Sequence, residues 1–320
     1  MLGERAMPTL LKLLEDYVDR YLEIFVKSYN ECIKSCKRCK ESKCVERALE
    51  DARLEAKNEL VRSIYGFCGK VDLARKLVDE AINGLRMLGY EVLVVDARLR
   101  SRGVFGSSSG MLATVFEVGI SWDHVIDLPF IPGSSVKGAM RSTALLFCAR
   151  LEKNRRIECV RNVLELFGFI EHPPRDVRED LARVSGVSEV EVEDLLRSVR
   201  VGAGSLIVGD AYPIECPNKG ILEPTVITPH YRDAEDEYGA MPTPILHLVV
   251  RKDAKFRFYV AMGSKAINVA DRLCRLLGLK TSPRSFVASI LVASLQNGLG
   301  ARTARGYGVF EVEQFAVKRR

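Results

Sequence analysis

The sequence predicts an α+β fold in which an all-helical N-terminal extension, residues 1–89, precedes a domain of strands and helices, residues 90–320. Two observations predict it. Apolar residues recur at helical spacing through the first segment, whereas several later segments alternate apolar and polar residues with the period of two that is typical of strands. With 320 residues, 47% of them hydrophobic and 28% charged, the composition is that of a globular protein with ample material for a core.

The N-terminal extension contains three predicted helices. Residues 8–30 form the first, and residues 31–66 are again helical in composition. The third begins with Asp72 as its N-cap and runs to residue 87, because Gly89 stops it. The apolar stripe of the first helix comprises Leu10, Leu14, Tyr17, Val18, Tyr21, Ile24 and Phe25.

Four of the nine cysteines lie in this extension: Cys32, Cys36, Cys39 and Cys44. The first three have the Cx₃Cx₂C spacing of a radical-SAM iron–sulfur site, and four thiolates could hold zinc. However, only one pair has CxxC spacing, and the run is helix-like and rich in lysine, which favours helix-face thiols or a local disulfide. We therefore expect no metal and no cofactor. For the cysteines in general, buried thiols, metal ligands and, in a hyperthermophile, disulfides remain open.

The first predicted strand, residues 90–102, carries three arginines on one face beyond Asp96. Arg98, Arg100 and Arg102 could contact RNA, or they could form a solvated strand face. A polar loop follows at residues 103–110, and residues 112–120 predict a second strand.

A second motif, LPFIPGSSVKGAMRS at residues 128–142, predicts a turn and then a helix. Serine hydroxyls, free N–H groups of the first turn, the positive end of the helix dipole and two cations would together form an anion site. A capped amphipathic helix would explain the serines, but it explains less well the glycines at 133 and 138. The candidate anion-binding residues are Ser134, Ser135, Lys137 and Arg141.

A glycine-rich loop, GLGARTARGYG at residues 298–308, lies between a helical pattern and a final strand at 307–317. Glycines can adopt φ > 0, let backbone N–H groups converge on an anion and let a ligand approach closely. The arginines add charge, and the tyrosine adds a flat face for stacking. The order helix, loop, strand differs from that of dinucleotide and P-loop fingerprints. A turn without a ligand is the alternative. The candidate RNA-binding residues are Gly298, Gly300, Arg302, Arg305, Gly306, Tyr307 and Gly308.

Between these motifs, residues 151–200 predict a helical insertion and residues 205–211 a short strand. An irregular stretch with His230 is too long for an idle connection, which indicates a contact loop. Strands near 245–251 and 256–262 and helices near 265–277 and 285–296 complete the pattern.

The segments IPGSSVKGAMR (131–141) and GLGARTARGYG (298–308) resemble the signatures of the RAMP superfamily of CRISPR-associated proteins. The segments GDAYP (209–213), ITPHY (227–231) and PTPI (242–245) resemble the family of sixth subunits of type III-B (Cmr) effector complexes. The resemblance covers residues 90–317. It implies a ferredoxin-like (RRM-like) βαββαβ domain with helical insertions, in which RNA lies across the sheet face and against the glycine loop.

The function that this resemblance implies is that of a non-catalytic backbone subunit. Such a subunit holds guide RNA and target RNA near the guide 3′ end in antiviral defence, beside other Cmr subunits of the RAMP backbone and small helical types, while a neighbour cuts. The alternatives are a guide-processing endoribonuclease, a backbone subunit of the related Csm complex, or an RNA-binding protein unrelated to CRISPR. His230 is the best candidate for catalysis, although its position favours a loop anchor. If RNA cleavage depended on a metal ion, Asp96 or Asp210 would be the candidate catalytic residue.

Charge and hydropathy add little about partners. The net charge of +6 is too mild by itself to indicate a polyanion. Since no apolar run reaches 18 residues and the N-terminus lacks the core of a signal peptide, we expect a cytoplasmic protein without a membrane segment.

Overall fold

The computed structural model describes residues 9–35, 41–106, 112–116, 118–170, 173–198, 202–227 and 244–319. The chain divides into two compact units. Unit 1 comprises Met1–Val71, Ser107–Pro129 and Cys216–Arg251, and unit 2 comprises Asp72–Gly106, Phe130–Glu215 and Lys252–Arg320. These units alternate along the chain, whereas the predicted domains, 1–89 and 90–320, are consecutive. The prediction that residues 1–89 and 90–320 are separate domains therefore stays a prediction.

The helices, in chain order, are α1 (Leu10–Ser35), α2 (Glu41–Ser63), α3 (Val71–Met87), α4 (Leu112–Phe116), α5 (Gly133–Cys148), α6 (Lys153–Phe167), α7 (Arg175–Ser185), α8 (Glu189–Ser198), α9 (Ser264–Leu276) and α10 (Pro283–Asn297). The strands are β1 (Glu91–Leu99), β2 (Trp122–Asp123), β3 (Leu128–Pro129), β4 (Gly168–Phe169), β5 (Gly202–Ala203), β6 (Leu206–Val208), β7 (Tyr212–Glu215), β8 (Leu222–Ile227), β9 (Ile245–Val250), β10 (Lys255–Met262) and β11 (Phe310–Lys318). Within the described ranges, none of the helices combines the length and the apolar character that crossing a bilayer requires.

In unit 1, α1 and α2 pack along each other. The rings of Tyr17, Tyr21 and Phe25 lie against buried alanines of α2, Ala52 and Ala56, because small side chains there admit large ones from the facing helix. A disulfide between Cys32 and Cys44 joins the end of α1 to α2. It confirms the local disulfide for this pair and removes two of the four thiolates from the metal site considered above. Cys36 and Cys39 lie outside the described residues.

The remainder of unit 1 contains the antiparallel pair β8–β9 and a second disulfide, Cys68–Cys216. The buried carboxylate of Asp127 accepts hydrogen bonds from the indole of Trp122, at 3.1 Å, and from the first N–H of α1, at 3.1 Å. The strand predicted over residues 112–120 is wrong, since Leu112–Phe116 is helical. Leu112 and Phe116 are both buried, whereas Thr114, which a strand would place on the same face, is exposed, and this pattern fits a helix.

Unit 2 is built on an antiparallel sheet in the order β11-β1-β10-β6, with β7 also paired to β10. One face of the two central strands is apolar apart from Glu91 at the start of β1, and the rings of Phe105, Phe256, Phe258 and Phe310 pack against one another. The other face carries Asp96 and Arg257 and is partly covered by α3. Part of the sheet face on which the resemblance places RNA is thus occupied by a helix.

Helices α6, α7 and α8 occupy residues 153–198 of unit 2. A third disulfide, Cys148–Cys159, joins α5 to α6, and the buried Cys274 is a free thiol. Six cysteines of the described chain are therefore paired, as the disulfide alternative for the cysteines anticipates.

Candidate nucleic-acid interface

The glycine-rich loop has the backbone conformation that its composition predicts. All four glycines have positive φ: 98° at Gly298, 84° at Gly300, 78° at Gly306 and 71° at Gly308. Arg302 is also left-handed, with φ of 64°. Since L side chains rarely adopt this region, the glycines are needed for the path of the loop.

Three of the glycines also permit close approach, although the neighbour is the protein itself. A Cβ at Gly308 would lie 1.9 Å from the carbonyl oxygen of Leu299, and one at Gly300 would lie 2.2 Å from that of Val104. A Cβ at Gly298 would lie 2.9 Å from the carbonyl oxygen of Tyr307. A Cβ at Gly306 would meet no heavy atom within 4 Å. Gly306 is therefore the glycine that faces open space.

The N–H groups of the loop correct the expectation that they converge on an anion. The N–H of Gly308 donates to Arg102 O at 2.7 Å, and that of Ala301 donates to Val104 O at 2.8 Å. The N–H groups of residues 299, 305, 306 and 307 are bonded within the loop as well. Four of these N–H groups bond to carbonyls of the loop and two bond to the segment that follows β1, so all six are occupied.

The tip of the loop, residues 302–307, is the part open to a ligand. Ala304, Arg305 and Gly306 are exposed, and the guanidinium of Arg302 lies 5.9 Å from the ring centroid of Tyr307. In the part of the chain that the structure describes, the side chain of Arg305 has no ion pair or hydrogen bond. An exposed cation, an open glycine and an arginine held over an aromatic ring suit a phosphate with an adjacent base.

The arginines of the first predicted strand, Arg98, Arg100 and Arg102, differ in how exposed they are and in which groups they contact. Arg98 forms ion pairs with Glu313 and, at 3.1 Å, with Glu215. Its hydrogen bond to Glu313 raises the pKa of Arg98 and lowers the pKa of the Glu313 carboxyl. Because Lys255 also contacts both carboxylates, at 3.0 and 3.1 Å, the four charges of this network cancel. Arg98 therefore ties the strands together and is not a free cation.

The two following arginines lie nearer the loop. Arg100 is 63% exposed at its side chain and pairs with Glu311 at 3.3 Å, and its N–H donates to Val309 O at 2.8 Å. Arg102 is exposed, and its carbonyl accepts the N–H of Gly308. The structure thus brings Arg100 and Arg102 to the base of the glycine loop.

The start of α5 differs from the prediction. Its N-cap is Pro132, and neither Ser134 nor Ser135 caps the helix, although both are exposed. The N–H of Gly133 donates instead to the Oδ1 of Asp210 at 2.6 Å. A carboxylate of the chain therefore occupies the favourable position at the helix N-terminus, which the sequence assigned to an external anion. Asp210 belongs to the GDAYP segment, but its role depends on a contact 77 residues away and the segment alone does not reveal it.

Both cations of α5 are partly buried. Lys137 Nζ donates to Leu206 O at 2.9 Å, and burial lowers the pKa of Lys137, with a smaller contribution from Arg141. Burial likewise lowers the pKa of Arg141, whose guanidinium lies 5.7 Å from the Phe169 ring and lines a cavity of about 340 Å³. Neither side chain is a bare cation of the exposed first turn.

The predicted site residues therefore form two separate groups. The glycine loop adjoins β1 and precedes β11, whereas α5 begins beside β6 and Asp210. Two strands, β1 and β10, lie between β11 and β6 in the sheet. Three strand-to-strand steps correspond to roughly 14 Å. The glycine loop and the start of α5 are therefore not in direct contact.

Of the candidate catalytic groups, Asp96 and Asp210 are described, and each is hydrogen-bonded to another group of the chain. Both oxygens of Asp96 accept hydrogen bonds from Arg257, each at 2.7 Å, and His247 is buried in β9. His230, within residues 228–243, and His172 lie outside the described residues. Among the residues described, no group of three or more His, Cys, Asp or Glu side chains is placed to hold a metal ion.

Comparison with known proteins assigns the chain to a family. The RAMP superfamily model matches residues 104–311. A protein described as CRISPR system CMR subunit Cmr6 from Saccharolobus solfataricus is 27% identical over 245 residues, which cover 77% of this chain and 66% of that protein. The Cmr6 subunit from Pyrococcus furiosus is 28% identical over 225 residues, covering 61% of each. The chain thus spans just under two thirds of the length of these relatives.

Among solved structures, a chain in the cryo-EM structure of the type III-B Cmr-beta complex bound to cognate target RNA superposes with a TM-score of 0.61. It is 25% identical in sequence, and the match covers 86% of this chain and 77% of that one. The fold, a mixture of helices and sheet with N-terminal helices, is therefore shared with a component of that assembly. Because the family model also matches well over half of its residues, the chain belongs to the RAMP superfamily.

Proposed function

We propose that this chain is a non-catalytic, RNA-binding backbone subunit of a type III-B (Cmr) RNA-guided CRISPR complex. Its role is to hold guide RNA and target RNA near the guide 3′ end in antiviral defence, in the cytoplasm and beside other Cmr subunits of the RAMP backbone and small helical types. The likeness to a chain of the target-RNA-bound Cmr-beta complex supports this assignment, as does the likeness to two Cmr6 subunits.

The observation that carries the proposal is the chemistry of the loop tip. Arg305 is exposed without a carboxylate partner among the described residues, and Gly306 beside it leaves room for a backbone to approach. Arg302 and Tyr307 offer a stacked cation and ring next to them. A single RNA strand presents phosphates and unstacked bases together, which is the combination that this surface can bind.

Under this proposal the remaining site residues have distinct roles. Gly298, Gly300 and Gly308 hold the loop in shape, and Arg98 and Arg100 fix the neighbouring strands through ion pairs. Arg102 adds charge at the base of the loop. A second contact is proposed at α5, through Ser134, Ser135, Lys137 and Arg141, about 14 Å or more away by strand spacing. Two phosphates of one strand, several nucleotides apart, could engage the two contacts.

We also propose that unit 2 contains a ferredoxin-like βαββαβ sheet. The antiparallel order β11-β1-β10-β6 supports it, because β1, β6 with β7, β10 and β11 then serve as its four strands in chain order. Helix α5 lies between the first two strands in sequence, and α9 with α10 lies between the last two. Helices α6 to α8 are insertions in this scheme.

The absence of catalysis is part of the proposal. Asp96 and Asp210 are engaged by Arg257 and by the N–H of Gly133, which supports a structural role for both carboxylates. The purified protein should leave repeat RNA intact in the absence of metal. Metal-independent cleavage that is lost on His230→Ala would replace this proposal with that of a guide-processing ribonuclease.

The test of the loop tip is Arg302→Ala with Arg305→Ala in the assembled complex. Each phosphate contact on a single strand contributes about 0.7 to the slope of log K against log salt, so removal of two contacts should lower the magnitude of the slope by about 1.4. Arg175→Ala with Arg197→Ala is the matched control, because these arginines are 80% exposed on α7 and α8. Equal affinity and slope in wild type and loop variant would exclude the loop tip from the RNA interface.

Partner identity needs a separate measurement. Affinity purification of the tagged chain from its native host should co-elute a defined guide RNA with Cmr subunits. Co-elution with Csm subunits would assign it to the related complex, and RNA without any partner subunit would make it an independent RNA-binding protein.

A further inference from the structure

Helix α1 of unit 1 carries a row of large aliphatic side chains that remain exposed. The exposed fractions lie between 44% and 55%, for Leu11, Val18, Leu22, Val26 and Ile33. We call this row the α1 stripe. Single exposed aliphatic residues are ordinary on protein surfaces, but a contiguous row on one helix marks an interaction site.

The spacing makes the stripe straight. Leu11, Leu22 and Ile33 are eleven residues apart, which corresponds to three helical turns of 3.67 residues, so they lie almost directly above one another. Val18 and Val26 fill the intervals. At about 1.5 Å per residue, the stripe extends roughly 33 Å along the helix.

The stripe is separate from the face that α1 already buries. Leu10, Leu14 and Ile24 are buried, and the rings of Tyr17 and Tyr21 pack towards α2. A helix with apolar residues on two faces is typically covered on both sides. One side of α1 is covered within unit 1, and the other is exposed.

The charges beside the stripe indicate what covers it. Glu15, Asp19 and Glu23 recur every four residues along one side. With Asp16, four carboxylates face two cations in the N-terminal half of α1, where Lys12 lies 2.9 Å from Asp16 and 3.5 Å from Glu15 and Arg20 pairs with Glu23 at 2.7 Å. The C-terminal half carries Lys27, Glu31 and Lys34, so the acidic border belongs to the N-terminal half. An apolar row with an acidic border repels RNA phosphates and anionic lipid surfaces. A second copy in antiparallel twofold contact centred on Leu22 would bring Asp19 of each copy close to Glu23 of the other, which is also repulsive.

We propose that the α1 stripe binds an amphipathic helix from another protein subunit. That helix would present apolar side chains at three- and four-residue spacing over about six turns, with Lys or Arg residues facing the border formed by Glu15, Asp19 and Glu23. The identification of the partner as another subunit of the same assembly rests on the proposed function. The surface is distinct from the loop tip, so RNA binding and subunit docking use different parts of the chain.

The site of contact can be read by photocrosslinking. A benzophenone amino acid in place of Leu22, in the assembled complex, should crosslink to a helical segment of another subunit that carries apolar residues at this spacing and basic residues beside them. Crosslinks to RNA, to a second copy, to the same chain only, or to nothing would each overturn the proposal.

Variants then test the energetic contribution. Val18→Ser, Leu22→Ser and Val26→Ser should together weaken binding of the crosslinked subunit, purified separately, at least tenfold, while guide-RNA affinity stays within twofold. Because all three side chains are about half exposed, the variant should fold as the wild type does. The control is Leu49→Ser with Leu54→Ser, which removes two exposed leucines from α2 and should leave subunit affinity unchanged.

The outcomes separate this inference from the proposed function. If wild type and triple variant bind the crosslinked subunit with equal affinity, and both bind guide RNA, only the docking surface is refuted. If the wild-type chain assembles with neither guide RNA nor Cmr subunits, the proposed function is refuted and this inference with it.

Discussion

Gly308→Ala and Gly306→Ala form a matched pair that separates two reasons for glycine in the loop: the left-handed backbone conformation and the close approach of another backbone atom. Both residues are left-handed, with φ of 71° and 78°. Alanine in this region costs about 1–2 kcal/mol, and any gain from a stiffer unfolded chain applies equally to both variants. Only the variant at 308 also places a Cβ 1.9 Å from the carbonyl oxygen of Leu299.

The backbone at Gly308 must shift to relieve that contact. It makes two hydrogen bonds, from its N–H to Arg102 O at 2.7 Å and from the N–H of Leu299 to its carbonyl at 2.9 Å. Overpacking costs about 1–3 kcal/mol, and each weakened hydrogen bond costs about 1 kcal/mol. We therefore expect a loss of about 1–2 kcal/mol for Gly306→Ala and about 3–5 kcal/mol for Gly308→Ala.

Scanning calorimetry measures the difference. With an unfolding entropy of about 2.1 cal/mol/K per residue, a 320-residue chain loses about 1.5 °C in Tm for each kcal/mol. The expected shifts are about 2 °C for Gly306→Ala and about 6 °C for Gly308→Ala. Equal shifts would refute the argument that Gly308 is required by the approach of Leu299.

Three further predictions concern other parts of the chain. Arg257→Met leaves the buried carboxylate of Asp96 without its partner, so it should lower the free energy of unfolding by about 3–5 kcal/mol in a denaturant titration. A loss below about 1 kcal/mol would mean that the Asp96 carboxylate is solvated. Glu191 should titrate near 2, since hydrogen bonds from Lys153 and then Ser188 lower its pKa to about 2. Its contribution to stability is therefore present above its unfolded value of about 4.3 and is lost as the pH falls towards 2; a carboxyl ¹³C NMR midpoint above 4 would contradict this. Replacing Cys68 and Cys216 by serine should lower the free energy of unfolding by about 5 kcal/mol, and replacing Cys148 and Cys159 should lower it by about 3 kcal/mol, because the two disulfides close loops of 148 and 11 residues. If the denaturant midpoints of the two oxidised variants fall in the reverse order, loop length does not govern the effect.

Local signals were sufficient for much of the secondary structure. The predicted span of the third helix, residues 72–87, differs by one residue from α3, although Asp72 lies in the first turn and is not the N-cap that the sequence predicted. The positive φ of the loop glycines followed from residue type alone. The segment 112–120 was misassigned because its alternation was imperfect and it is too short to display a helical period.

The site was harder to predict because its charges are paired over long distances in sequence. Arg98 resembles an exposed strand cation until Glu215 and Glu313 are brought to it, 117 and 215 residues away along the chain. Asp210 reaches the N–H of Gly133 across 77 residues and removes the need for a serine cap. Residue type and periodicity describe what a side chain can do, but they do not identify which partner the fold supplies.

The anchoring of the glycine loop determines how much of the chain must be synthesised before the loop can adopt its conformation. The loop is fixed by bonds from Gly308 to Arg102 and from Ala301 to Val104, and β11 pairs with β1. These partners are about 200 residues apart, so the contacts form only when both parts of the chain are available. A nascent or prematurely terminated chain that ends before residue 308 lacks the Gly308 bond that anchors the loop to Arg102. Under the proposed function, such incomplete chains should therefore not compete with finished subunits for guide RNA.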